Sequence, residues 1–159
     1  MEVSEERVVF IDSGSVVDWR KFPVRRNDKS PAINDWKELA TSDPLQIEKW
    51  KEQDFPDCNW GIVTGNGLVV VDVDKKNGKD GLASLSAVIG YNEQELDTYT
   101  VETPSGGQHL YFLETEEEIH NKQGVLPGID IRGTGGLVVA PGSSIDGKSY
   151  TVLKDKPLL

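Results

Sequence analysis

Beyond Pro56 the chain is a series of short apolar runs cut by glycine turns, the pattern of strands in a sheet. The runs are "WGIVT" at 60–64, "LVVVDVD" at 68–74, "TYTVET" at 98–103, "QHLYFLET" at 108–115, "GIDIRG" at 128–133, "GLVVAPG" at 136–142 and "SYTVL" at 149–153. Gly65-Asn66-Gly67 predicts a hairpin between the first two, because Asn-Gly accepts the positive φ of a tight turn. "PSGG" at 104–107 predicts a second, and Gly133-Thr134-Gly135-Gly136 predicts a third, pairing "GIDIRG" with "GLVVAPG". Before Pro56 the spacing turns helical. Helices are predicted over "INDWKELA" at 33–40 and "SDPLQIEKWKEQ" at 42–53, the latter with Asp43 as N-cap, Pro44 at the first helical position and Gln46 completing a capping box. "DGLASLSAVIG" at 80–90 predicts a crossover helix and "RVVFI" at 7–11 a short strand, while 16–34, with Pro23 and Pro31, reads as irregular. Helices first and a sheet afterwards make an α+β chain. The expectation is one domain over 1–159, with an N-terminal lobe of about residues 1–57 and a sheet lobe of about 58–155.

The 159 residues suit one compact domain, and nothing in them resembles a signal peptide or a membrane-length apolar run. A single cysteine, Cys58, excludes an internal disulfide and any multi-cysteine zinc cluster within the chain, and the expected setting is cytoplasmic. Acidic residues outnumber basic ones by 27 to 17, a net charge of −10. That argues against gripping duplex nucleic acid by charge alone, but it leaves open an enzyme whose acidic site holds metal ions. Trp36, Trp50 and Trp60 could stack on bases, although their helical and strand-edge positions favour the core.

Three polar constellations interrupt the apolar pattern. Asp72 and Asp74 alternate with Val73, so on a strand they face one side, roughly 6.6 Å apart at the backbone. Such a pair can share hard divalent cations such as Mg²⁺ or Mn²⁺; the alternative is a polar turn past the strand end. A calcium loop fits poorly, with Lys76 and Ala83 where oxygen ligands belong. In "TPSGGQHLYF", Gly106 and Gly107 could offer backbone N–H groups to a phosphate, and His109 follows on the same strand face as Tyr111; the alternative is an ordinary hairpin turn. In "GIDIRGTGG", Asp130 and Arg132 share a face, either as functional groups or as a surface ion pair. Together they place three carboxylates, a serine, a histidine and an arginine beside glycine turns, the residue types of metal-assisted phosphoryl or nucleotidyl transfer. Removing one carboxylate from such a cluster relieves like-charge repulsion, so Asp72→Asn is expected to melt no lower than the parent without metal.

The order "VVVDVD", "TPSGGQHLYF", "GIDIRGTGGLVVAPGS", with "SPAINDWKELATSDPLQIEKW" and "NWGIVTG" upstream, resembles the bifunctional DNA primase/polymerase N-terminal (prim-pol) domain of the archaeo-eukaryotic primase superfamily. The resemblance covers roughly residues 20–153. It implies a two-lobed fold, an N-terminal αβ unit plus an RNA-recognition-like unit with a mixed or antiparallel sheet, and an active site between them. It implies a two-metal site of Mg²⁺ or Mn²⁺ on Asp72, Asp74 and Asp130, and triphosphate contacts from Ser105, His109 and the backbone of Gly106 and Gly107, with Arg132 a further one. The implied function is template-directed nucleotidyl transfer in replication of a phage, plasmid or integrated element. Its partners would be a dNTP or NTP, a single-stranded DNA template and a primer, with a helicase domain or separate helicase. One cysteine cannot build the zinc-binding stem of some members, so nucleotide binding and primer extension are expected of this chain more than independent primer synthesis. The rival is a catalytically silent nucleotide-binding or assembly module of a larger replication protein.

Overall fold

The computed structural model describes residues 9–10, 16–17, 19–75, 80–89, 97–114 and 116–159. In chain order the elements are β1 (Val9–Phe10), β2 (Val16–Val17), β3 (Lys21–Val24), α1 (Trp36–Leu39), α2 (Pro44–Lys49) with a π turn over Trp50–Asp54, β4 (Asn59–Val63), β5 (Leu68–Val73) and α3 (Gly81–Ile89). There follow β6 (Thr100–Glu102), β7 (Gln108–Leu113), β8 (Lys122–Leu126), β9 (Ile129–Arg132), β10 (Leu137–Val139), β11 (Ser144–Ile145), β12 (Lys148–Ser149) and β13 (Thr151–Lys154). The fold is strand-rich α+β. A six-stranded sheet runs β13-β6-β7-β5-β9-β8 and a three-stranded sheet runs β10-β4-β3; β1 pairs with β2, and β11 with β12.

β5 is central in the larger sheet, and its apolar run is covered on both faces. On the back, Val71 and Val73 pack with Leu110 and Ile129 beneath Leu82 and Leu85 of α3. Those two leucines are three apart, on one side of the helix, and Asp80 caps its start by accepting the Ala83 N–H at 3.1 Å. On the front, Val70, Val101, Tyr99 and Tyr111 join Trp60, Ile62, Val138 and Val139 of the smaller sheet in a single core. Tyr99 and Tyr111 meet edge to face at 5.0 Å, with Trp19 against both rings at 5.2 and 5.4 Å. Each such pair adds about 0.5–1.5 kcal/mol beyond its buried area, so this aromatic trio helps to fasten the larger sheet to the segment before β3.

Several expectations from the sequence change here. The "PSGG" hairpin forms, joining β6 to β7 in antiparallel register. The Gly65-Asn66-Gly67 turn does not make a hairpin ladder, although all three residues have positive φ. Both edges of β4 are taken by β3 and β10 and both edges of β5 by β7 and β9, leaving a single bridge between Gly65 and Leu68. Nor do "GIDIRG" and "GLVVAPG" pair: β9 joins β5 and β8, whereas β10 crosses to β4. Thus β4, expected in the sheet lobe, lies in the small sheet with β3. The 16–34 stretch read as irregular contains β3; its Pro23 is tolerated because β3 is the last strand of its ladder. In α2, Asp43 accepts the Leu45 N–H at 3.1 Å, but its own N–H donates to Thr41 Oγ1 rather than to Gln46. The first predicted helix shortens to Trp36–Leu39 behind a left-handed Asp35. "SYTVL" is broken at Tyr150, between β12 and β13. The 7–11 strand is described only at Val9–Phe10.

Candidate active site

Register does most of the assembly. Asp72 on β5 lies directly opposite His109 on β7 and, on its other side, opposite Asp130 on β9. One row further along the same face, Val70 is flanked by Tyr111 and Arg132. A polar row, His109–Asp72–Asp130, thus borders a row in which Val70 and Tyr111 lead into the core and Arg132 lies beside the carboxylates.

The side chains of the polar row engage one another. Arg132 Nη2 donates to Asp72 Oδ2 at 3.3 Å and to Asp130 Oδ2 at 3.1 Å, bridging the two carboxylates. His109 Nε2 lies 3.4 Å from Asp72 Oδ1. Asp130 Oδ1 accepts the Gly124 N–H at 2.7 Å, and a register break in the β8–β9 pairing between Lys122 and Leu126 accompanies this contact. Burial pushes the Asp72 carboxyl up, but the hydrogen bond and charge of His109 and the Arg132 guanidinium outweigh it and hold the group below its ordinary 3.8. His109 is almost wholly buried, and its Nδ1 has no hydrogen-bond partner among the described residues. The Tyr150 ring lies 5.9 Å from the imidazole, and burial together with the negative charge of Asp72 pushes its phenol up to about 12.

Asp74 stands one residue past β5. Its N–H donates to the Gly128 carbonyl at 2.7 Å and its carbonyl accepts the Gly81 N–H at 2.8 Å. Glycines hem in this segment from three directions. A Cβ on Gly81 would lie 2.5 Å from the Gly128 carbonyl oxygen, one on Gly128 would meet the Asp74 carbonyl oxygen at 3.0 Å, and one on Gly107 would run into the Val73 carbonyl oxygen. Gly128 also has a φ of +77°, which L side chains rarely adopt.

Asp72, Asp74, Asp130, Ser105, His109 and Arg132 all line one cavity of about 630 Å³, within the usual range of small-molecule sites. Gly106 and Gly107 do not line it. Their N–H groups are spent inside the turn, on the Thr103 carbonyl at 2.9 Å and on Thr103 Oγ1 at 3.1 Å. Gly107 is therefore required for close packing on β5, and these N–H groups are not free for a phosphate. The cavity lining also includes residues that the sequence did not single out for a site, among them Lys29, Asn121, Lys148 and Tyr150. Trp50 and Trp60 are core, as expected, but Trp36 is half-buried, lines the cavity and is backed by Phe22 at 4.9 Å. Nothing local in the sequence hints at Tyr150 or at the lysines, because "SYTVL" reads as one unbroken strand.

Carboxylates, an arginine, lysines and a serine around a nucleotide-sized cavity suit a polyphosphate with a cation. A family model matches residues 15–158: the bifunctional DNA primase/polymerase, N-terminal. The chain belongs to that Prim-Pol family. No curated protein matches it. Membership brings a role in DNA replication, a nucleotidyltransferase type of chemistry and binding of nucleotides and DNA; the family typically uses divalent metals. Among the described residues no three His, Cys, Asp or Glu side chains are gathered into a ready coordination sphere. The donor chemistry nevertheless fits a hard cation, because three carboxylates face one cavity and two of them already share a positive charge. Among the described residues no helix is long and apolar enough to cross a membrane.

Proposed function

We propose that this Prim-Pol chain extends a primer on a single-stranded DNA template by nucleotidyl transfer from a dNTP or NTP. The observation that carries this reading is the meeting of Asp72, Asp74 and Asp130 with Ser105, His109 and Arg132 on one cavity. Asp72, Asp74 and Asp130 would hold Mg²⁺ or Mn²⁺, which supplies Lewis-acid activation of a primer 3′-hydroxyl and neutralises charge on the leaving pyrophosphate. Ser105 and Arg132 orient the triphosphate. His109, set against Val101 and Tyr150, holds Asp72 in place through its Nε2 and borders the same cavity. Trp36 and Tyr150 give the cavity aromatic surface on which a base or sugar can rest.

The reading extends to replication of a phage, plasmid or integrated element in the cytoplasm alongside a helicase. With a net charge of −10, the chain is expected to hold primer-template weakly. About 3–4 phosphate contacts would give a shallow salt dependence and distributive extension. Nanomolar, steeply salt-dependent binding in a fluorescence titration would contradict that.

The deciding experiment is primer extension with dNTPs and Mn²⁺, comparing the parent chain with Asp72→Asn. Addition by the parent and none by the variant is the expected result. A parent chain that binds dNTP but adds nothing would favour the silent-module alternative.

A further inference from the structure

We infer that Arg132 is the resident cation of the Asp72–Asp130 pair, and that triphosphate and divalent metal bind with positive coupling because the triphosphate draws Arg132 away. This rests on the proposed nucleotidyltransferase reading and assigns an order to its site. All four carboxylate oxygens of the pair face a partner. Arg132 Nη2 takes both Oδ2 atoms, His109 Nε2 faces Asp72 Oδ1 and the Gly124 N–H takes Asp130 Oδ1. Two carboxylates directly opposite on neighbouring strands repel each other, and the guanidinium cancels that repulsion. Asp74, whose Oδ1 accepts only the adjacent Lys75 N–H among the hydrogen bonds described, lies outside this bridge.

A metal ion approaching alone must displace Arg132 and leave a partly buried guanidinium without an anion, which is costly. A triphosphate arriving alone gains Arg132 only by uncovering two adjacent carboxylates. Arriving together, each ligand removes the other's penalty. The planar guanidinium fork matches phosphate oxygens as well as it matches carboxylates, and Asp72 and Asp130, once released from it, would be open to hold the metal. Linkage requires the effect to be reciprocal, and couplings of this kind usually amount to about 5–150-fold in affinity.

The test uses Mn²⁺ binding without nucleotide, followed by calorimetry and by the electron paramagnetic resonance of free Mn²⁺. Arg132→Gln should bind Mn²⁺ at least about fivefold more tightly than the parent. Arg132→Lys, which keeps a cation, should stay near the parent. If parent binding depends on Asp72 yet Arg132→Gln binds no more tightly, the coupling is refuted and the nucleotidyltransferase reading survives. If neither chain shows Asp72-dependent Mn²⁺ binding, both fall. A second measurement does not depend on Arg132→Gln folding. In EDTA, Asp72→Asn should bind an α,β-imido dNTP at least about fivefold more tightly than the parent, because it leaves Arg132 held by Asp130 alone. Asp74→Asn removes the same charge but releases no arginine, so it should gain clearly less. Equal gains from the two variants would show simple charge repulsion and overturn the proposal.

Discussion

Asp72 and Asp130 are directly opposed across the β5–β9 ladder and share one nitrogen of Arg132. This reverses the stability expected for the first carboxylate. Asp72→Asn would relieve repulsion, but it also removes the charge that His109 and Arg132 both address. Charge-assisted hydrogen bonds are each worth about 1.5–3 kcal/mol, partly retained by the amide. Metal-free Asp72→Asn should therefore be less stable by roughly 1–2 kcal/mol, a fall in Tm of about 2–8 °C. Calorimetric melting in EDTA checks it, and an equal or higher Tm would restore the repulsion argument.

The same pairing has an acid signature. The folded-state pKa of Asp72 lies below its ordinary value, so its contribution is complete above about pH 4 and is lost as the pH falls through the lower folded value. Urea unfolding between pH 5 and pH 2.5 should show the parent losing its advantage over Asp72→Asn below about pH 4. An advantage constant over that range would detach it from the ionised carboxylate.

Tyr150 marks the alkaline side. Its pKa is pushed up to about 12 from 10.0, so the folded state favours the neutral phenol. That contribution is present below pH 10 and is lost as the pH rises from 10 through 12, on the order of 2–3 kcal/mol in all. Tyr150→Phe cannot ionise and should escape this part of the loss. Tyrosinate absorbance at 295 nm, with chemical unfolding in parallel, follows both. A Tyr150 that ionises near pH 10 would mean that burial and the Asp72 charge do not act on its phenol.

For substrate binding, His109→Ala should weaken dNTP affinity by roughly 1–3 kcal/mol, the scale of a charge-assisted hydrogen bond, and nucleoside affinity hardly at all. Equal losses for dNTP and nucleoside would make His109 a packing residue only.

Gly128→Ala tests the setting of Asp74. An alanine at φ +77°, pressed against Gly81 and the Asp74 carbonyl, should cost roughly 1–3 kcal/mol and shift the Val73–Asp74 backbone. Nucleotide addition should fall by more than dNTP binding does, since Ser105 sits in the β6–β7 turn, away from Gly128. Unchanged activity would remove Asp74 from the reaction.

Sequence alone determined what local rules govern. Alternation put Asp130 with Arg132, and His109 with Tyr111, on single strand faces, because side-chain direction repeats every two residues whatever the partner strand. Turn chemistry marked the "PSGG" hairpin, and apolar spacing marked α3. Tertiary structure alone decided which edges meet. β10 joins β4 rather than β9, and the Gly65–Gly67 turn hands the chain from one sheet to the other, because the competing edges are already filled. That choice placed Asp72 between His109 and Asp130, brought Lys148, Tyr150 and Trp36 to the cavity, and turned Gly107 into a packing requirement on Val73. The Arg132 bridge belongs to the same class. It spans 60 residues, and its existence depends on two strands lying in one register, which no window of the sequence contains.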